Sequence, residues 1–148
     1  MTISFDEKVC VVTGAGNGLG RCHALALAER GAKVVVNDLG GARDGTGASS
    51  EAADAVVDEI IKNGGEAFSH GANVTNYEEV VDMIKQTMKR WGRIDVLINN
   101  AGILRDKSFS KMELSDFKLV LDVHLMGSVN WTTAVWDIMK EQNYGRIV

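Results

Sequence analysis

Runs of adjacent apolar, largely β-branched residues alternate along this chain with longer segments whose apolar positions recur every third or fourth residue. The runs at 9–12, 33–38 and 94–98 predict strands buried on both faces, 67–72 a weaker one, and 146–148 the opening of a fifth. Between them, 21–30, 49–63, 77–91 and a long stretch over 114–142 carry helical spacing. The second helix is predicted to bury Ala53, Val56, Val57, Ile60 and Ile61 before Gly64-Gly65 ends it, and the third to bury Val80, Val81, Ile84 and Met88. Strand and helix alternate with no hairpin signal, so the expected fold is α/β, a Rossmann-type doubly wound parallel sheet. Residues 1–148 are expected to form one domain that stops within its fifth strand. Right-handed crossovers put every strand's carboxyl end on one edge of such a sheet, and ligands bind along that edge.

The chemistry-bearing residues fall on that edge. The first strand breaks into Thr13-Gly14-Ala15-Gly16-Asn17-Gly18-Leu19-Gly20 before a helix begins. In this pattern Gly14 turns the chain sharply, Gly18 lets a ligand approach the backbone, and Gly20 lets helix and strand pack closely. Unpaired N–H groups at the helix start suit an anion such as a pyrophosphate, although a tight turn that binds nothing has a similar composition. Asp38 ends the second strand at about the spacing from Gly20 at which an acid holds an adenosine ribose, and its charge repels a 2′-phosphate, which favours NAD over NADP. A solvated strand-end aspartate is the plain alternative. Arg43, in the glycine-rich loop 40–47, reads as solvated on a mobile segment. Asn99-Asn100-Ala101-Gly102 follows the fourth strand, either as a β-turn or as the passage for a cofactor ribose.

Composition narrows the partners. A net charge of −4 with dispersed basic residues gives nucleic acid no phosphate-binding stripe. No stretch approaches the roughly 18 apolar residues of a membrane span, and residues 1–8 carry charges where a signal peptide needs an apolar core. Cys10, in a strand, and Cys22, early in a helix, are expected to be buried thiols, and the histidines have no metal-ligand spacing, so no metal is expected.

With T-G-x-x-x-G-x-G at 13–20 and N-N-A-G at 99–102, the chain resembles the short-chain dehydrogenase/reductase family. Asn37-Asp38-Leu39-Gly40-Gly41, the segment 99–106 (N-N-A-G-I-L-R-D), Val123-His124-Leu125 and Tyr144-Gly145-Arg146-Ile147 resemble, more narrowly, the (3R)-hydroxyacyl-CoA dehydrogenase unit of peroxisomal multifunctional β-oxidation enzymes and its bacterial relatives. That resemblance implies NAD as cofactor. Gly14, Asn17, Gly18 and Leu19 would lie on the pyrophosphate and adjoining ribose, Asp38 on the adenosine ribose, Asn73 and Val74 on the adenine, and Asn99, Asn100, Ala101 and Gly102 on the nicotinamide ribose. It further implies hydride transfer at the 3-hydroxy or 3-oxo group of a fatty acyl-CoA and a homodimer or tetramer paired through the long helix, which offers Phe117, Val120, Leu121, Leu125 and Val135. The compartment would be the cytoplasm for a bacterial protein and the peroxisome for a eukaryotic multifunctional enzyme.

His124 stands where the broader family has an asparagine that supports a proton-relay water. Read from residue type alone, a lone helix histidine is a packed, hydrogen-bonded residue more often than a catalyst. The family's serine and Tyr-x-x-x-Lys follow the fifth strand, and neither Tyr77, with Val81 four residues on, nor Tyr144, with Val148, supplies that motif. The 148 residues alone are therefore expected to be inactive and, as a monomer, poorly stable. The rival readings are a 3-oxoacyl-carrier-protein reductase and a non-catalytic dinucleotide-binding module.

Overall fold

The computed structural model describes residues 3–148, so positions 1 and 2 of the charged amino-terminal segment lie outside the described residues. Five parallel strands, β1 (Val9–Thr13), β2 (Lys33–Asn37), β3 (Glu66–His70), β4 (Val96–Ile98) and β5 (Arg146–Ile147), form one sheet in the order β3-β2-β1-β4-β5. Helices α1 (Gly18–Ala28), α2 (Glu51–Lys62), α3 (Tyr77–Trp91), α4 (Leu114–Leu121) and α5 (Gly127–Glu141) complete the alternation. The doubly wound parallel fold expected from the sequence is the fold observed.

Alternation within the strands builds both cores. Val9, Val11, Val35 and Leu97 face α3 and α5, where Val80, Met83, Ile84, Trp131, Val135 and Met139 are buried against them. Cys10, Val12, Val34, Val36 and Val96 face the opposite way, onto Ala24 and Leu27 of α1 and Ala53, Val56 and Ile60 of α2. β1 is buried along its whole length, and its carboxyl end meets those of β2 and β4 in register: Thr13 lies beside Asn37, and Val12 beside Ile98. The order reverses direction at β1, which creates a crevice between the ends of β1 and β4.

Several local expectations are corrected. Cys22 is exposed rather than buried, because α1 turns Gly20, Ala24 and Leu27 toward the sheet and position 22 points away. Ile61 is exposed too, one position past the face that buries Ile60. In α3 the buried stripe is Val80, Met83, Ile84 and Thr87, with Val81 at its margin and Met88 packed part-buried. Helix α1 begins inside the glycine motif, at Gly18 rather than 21, and β4 starts at Val96, two residues late. The long helix expected over 114–142 is interrupted by a π-turn, Asp122–Met126. One extra residue in a turn rotates the rest of the helix by about 100°, so Phe117, Leu121 and Leu125 stay exposed while Val135 is buried. Among the described residues no helix is long and apolar enough to cross a membrane, and no group of His, Cys, Asp or Glu side chains is placed to hold a metal ion.

Candidate functional site

Thr13 welds the two turns that form the crevice. Its hydroxyl accepts from the N–H groups of Asn100 and Ala101 at 3.0 Å each and donates to the Ile98 carbonyl at 3.3 Å. The Asn100 side chain answers by donating to the carbonyls of Thr13 and Gly14, both at 3.0 Å, so this amide is spent on the protein and Asn100 meets the crevice through its other atoms. Gly14 has φ +62°, and a Cβ there would lie 2.8 Å from Ala101 Cα. At Gly20 a Cβ would lie 2.1 Å from the Gly14 carbonyl oxygen, which is the close helix–strand packing that the sequence assigns to this glycine. Gly18, with φ +53°, has nothing within 4 Å of the place a Cβ would take.

A cleft of about 620 Å³ opens above this junction, a size usual for small-molecule sites. Of the residues singled out from the sequence, Gly14, Asn17, Gly18, Leu19, Asp38, Asn73, Val74, Asn100, Ala101, Gly102 and His124 line it. Gly20 and Asn99 sit beneath it rather than on its wall: Gly20 is buried under the first turn, and the Asn99 amide donates to the Val148 carbonyl while its buried side-chain oxygen has no donor among the described residues.

The floor of the cleft is the glycine turn and the start of α1. Asn17 precedes α1 in extended conformation without capping it by its side chain, and the first turn carries no acid. Helix α3, by contrast, is closed by Asn76, which accepts from the Glu78 and Glu79 amides, and carries both glutamates in its first turn. The first N–H groups of α1 thus face the cleft with the positive end of the helix dipole behind them. Asp38 sits to one side, its Oδ2 accepting from the Gly16 amide and its Oδ1 from the Gly40 amide, at 2.7 Å each. Those bonds fix the carboxylate's orientation and leave further lone pairs for hydroxyl donors. Substituting Gly16 would drive a Cβ to 2.9 Å from that Oδ2.

The far walls come from α3's approach and from the π-turn. Asn73 closes an Asx-turn by accepting from Thr75 N–H and Oγ1, and the Val74 carbonyl accepts from Asn130 Nδ2 of α5 at 2.9 Å. His124, at the centre of the π-turn, puts Nε2 3.1 Å from the Ile103 amide and 3.0 Å from the Ile103 carbonyl, and a Cβ on Gly102 would meet the ring at 2.7 Å. Next to it a smaller cavity of about 280 Å³ shares Ile103, Leu104 and His124 with the cleft and adds Met112, Phe117 and Val120. At its rim Asp116 accepts from Arg105 Nη1 at 2.7 Å and Lys107 Nζ at 3.0 Å. The Lys107 bond, then the Arg105 bond, hold the Asp116 carboxyl below the ordinary carboxylate value, and Asp116 raises Lys107 in turn.

Sequence reasoning passed over Gly41, Ala42 and Gly45, which line the cleft, and read Arg43 as solvated on a mobile loop. Arg43 is exposed, as expected, but it stands on the cleft wall and its carbonyl accepts from the Leu104 amide at 2.9 Å. Only the unusual density of glycines in 40–47 hinted at a shaped loop. Cys10 is buried inside β1, and burial, then the charge of Asp95, pushes its thiol up to about 12.

The family model described as short chain dehydrogenase matches residues 8–148. A peroxisomal multifunctional enzyme type 2 of Drosophila melanogaster is 56% identical over 99% of this chain, and a 3-oxoacyl-[acyl-carrier-protein] reductase of Synechocystis sp. is 50% identical over 98%. A solved 7α-hydroxysteroid dehydrogenase complexed with NADH and 7-oxo glycochenodeoxycholic acid superposes with a TM-score of 0.87 at 31% identity, covering 97% of this chain. The chain spans 24% of the Drosophila enzyme's length, 56% of the reductase's and 52% of the steroid dehydrogenase's.

Proposed function

The chain belongs to the short-chain dehydrogenase family, and on that premise we propose that residues 1–148 form an NAD-binding Rossmann domain of an oxidoreductase acting on the 3-hydroxy or 3-oxo group of a fatty acyl-CoA. The observation that carries the proposal is Asp38: a carboxylate oriented by the Gly16 and Gly40 amides, beside the uncapped start of α1, on the wall of a cleft large enough for a ligand. Its oxygens accept the adenosine ribose hydroxyls and repel a 2′-phosphate. The amides of Gly18 and Leu19 receive the pyrophosphate, with Asn17 beside them; Asn73 and Val74 flank the adenine, and the turn from Asn99 to Gly102 supports the nicotinamide ribose from the β4 side. The nicotinamide, when bound, accepts or donates the hydride. His124, fixed against the Ile103 backbone, positions the wall where the reacting carbon comes to lie.

The similarity to multifunctional and reductase relatives supports an acyl thioester as substrate, and the cavity that joins Met112, Phe117 and Val120 to the charged Arg105, Lys107 and Asp116 adjoins the cleft. The exposed Phe117, Leu121, Leu125 and Trp136 support pairing of α4 and α5 with a second copy, in a homodimer or tetramer. The protein works in the cytoplasm if bacterial, and in the peroxisome as part of a eukaryotic multifunctional enzyme. A 3-oxoacyl-carrier-protein reductase is the second reading, favoured by the Synechocystis relative and by Arg43, a cation that lines the same cleft as Asp38 and could answer a 2′-phosphate.

Titration with NADH and NADPH separates the two: a clear preference for NADH supports the first reading, and equal or reversed affinities overturn it. The sequence contains no Tyr-x-x-x-Lys, the motif that by the family resemblance takes the alcohol proton, and acid–base help alone is worth about 10²–10⁴-fold in rate. The chain is expected to bind NADH yet turn over no 3-hydroxyacyl-CoA by itself. NADH production by this chain alone would overturn that assignment of roles.

A further inference from the structure

We propose that residues 39–50 are a strap that closes over the bound dinucleotide, and that Arg105 is its latch. This rests on the dinucleotide reading above. The segment leaves the end of β2 and is pinned at its far end beyond β4, by Leu104 N–H to the Arg43 carbonyl at 2.9 Å and by Arg105 Nε to the Asp44 carbonyl at 2.7 Å. In the sheet, β1 lies between β2 and β4. A segment joined to both neighbours bridges them at the carboxyl end of the sheet, and it lines the same cleft as the glycine turn.

The strap has a defined shape. Its neck is closed by Ser49 N–H to the Leu39 carbonyl at 3.1 Å, and its tip by Ala42 N–H to Thr46 O and Gly45 N–H to Ala42 O, at 2.7 and 2.9 Å. A Cβ on Gly45, at φ +87°, would press on the Ile103 side chain at 3.2 Å. Residues 41–50 are all exposed, so no buried apolar side chain opposes opening, and the few bonds at the tip decide whether the strap stands closed. Of the bonds that join the tip to residues 103–105, the one made by a side chain is Arg105's, and its other arm reaches Asp116 of α4. The planar fork holds both partners at once in a fixed geometry, which a lysine ammonium on its flexible stem is not pre-organised to do. The cleft persists at about 620 Å³ beneath the closed strap, so the strap is a roof rather than a plug. An elongated ligand lying on the glycine turn enters and leaves only when that roof lifts. Arg105 is thus a positioning residue for release, acting through the strap.

Dissociation of NADH from the intact protein, followed by stopped-flow fluorescence, reads the latch. Arg105→Ala and Arg105→Lys are both expected to release NADH about tenfold faster than wild type, the scale of one charge-assisted hydrogen bond. Amide exchange in the ligand-free protein gives a second readout. In Arg105→Ala the Leu104 and Ala42 amides should exchange faster while Val11, inside β1, keeps its protection, which also shows that the variant is folded. Release at the wild-type rate, or unchanged exchange at Leu104, overturns the latch. A wild-type protein that binds no NADH overturns the dinucleotide reading instead, and the exchange data still report whether Arg105 holds the strap.

Discussion

The two edges of the sheet each carry an aspartate, and the chain treats them in opposite ways. At the amino edge, Asp95 is fully buried; it accepts from the Val9 amide at 2.9 Å and, in a fork, from Arg93 Nε and Nη2 at 2.7 Å each, with Lys8 Nζ 3.8 Å away. The same edge is sealed by Gln142, which bonds both the N–H and the carbonyl of Ile94, and by Lys8 and Arg146 over the Tyr144 ring. At the carboxyl edge, Asp38 has two backbone amides as its hydrogen-bond donors among the described residues and lines the cleft. An acid whose charge is answered by the chain's own cations is committed to the fold. An acid merely oriented by dipoles keeps its capacity for a ligand, which is why the proposed site lies at the Asp38 edge.

Substitution should separate the two roles. Asp95→Ala strands a guanidinium and the buried Val9 amide, and is expected to cost about 3 kcal/mol of stability while leaving NADH affinity of the folded fraction unchanged. Chemical denaturation measures the first and fluorescence titration the second. Asp38→Ala is expected to do the reverse: about 1.5–3 kcal/mol of NADH binding is lost, roughly ten- to a hundredfold, with less than about 1 kcal/mol of stability. If both variants lose stability equally and affinity equally, the contrast between the edges is wrong.

Acid provides a second cut. Burial pushes the Asp95 carboxyl up, but the Arg93 fork, the Val9 amide and the charges of Arg93 and Lys8 outweigh it and hold the group below its ordinary value. A carboxylate depressed in the folded state contributes stability that is complete above the unfolded value, about 3.9, and is lost as pH falls through the folded one. Asp95→Asn should therefore flatten the stability profile below about pH 4 relative to wild type, in urea titrations at fixed pH. Parallel profiles would mean that the ion cluster does not set acid stability.

How much of this was legible depended on whether the signal was local. The strands were readable because β1 and β2 are runs of valine, and α3 was placed to the residue from helical spacing over 77–91, whose ends the structure closes with Asn76 and Gly92. The crevice followed from Thr13–Gly20 and the N-N-A-G turn, since a parallel sheet dictates where strand ends meet. The π-turn was not readable: Asp122–Met126 contains no proline or glycine, and a one-residue shift of helical phase leaves no compositional trace. Nor were the partners of Asp116, because Arg105 lies eleven residues away and is brought to it by the turn after β4. The strap escaped for the same reason: its bonds to Leu104 and Arg105 join segments about sixty residues apart, and glycines in a row say only that the backbone is free to bend.

The smallest expected effect sharpens the comparison most, because it moves an acid to the open edge. Asn17 stands before α1 and makes no cap, whereas Asn76 caps α3 and two glutamates follow it. If α1 were merely a poorly finished helix, Asn17→Asp would be a plain improvement, worth about 0.3–1 kcal/mol through the helix dipole. If its start is kept bare for a phosphate-bearing ligand, the same carboxylate stabilises the free protein by that amount and repels the ligand. NADH affinity should then fall severalfold, by about 1 kcal/mol across a partly screened contact, and more steeply at low salt than at high. Asn76→Asp serves as the control at a helix start already closed by its own side chain, at a residue that does not line the cleft, with affinity expected to stay at the wild-type value. Equal affinity in Asn17→Asp and wild type at low salt would mean that the amides of α1 do not hold an anion, and the pyrophosphate would have to be placed elsewhere on the glycine turn.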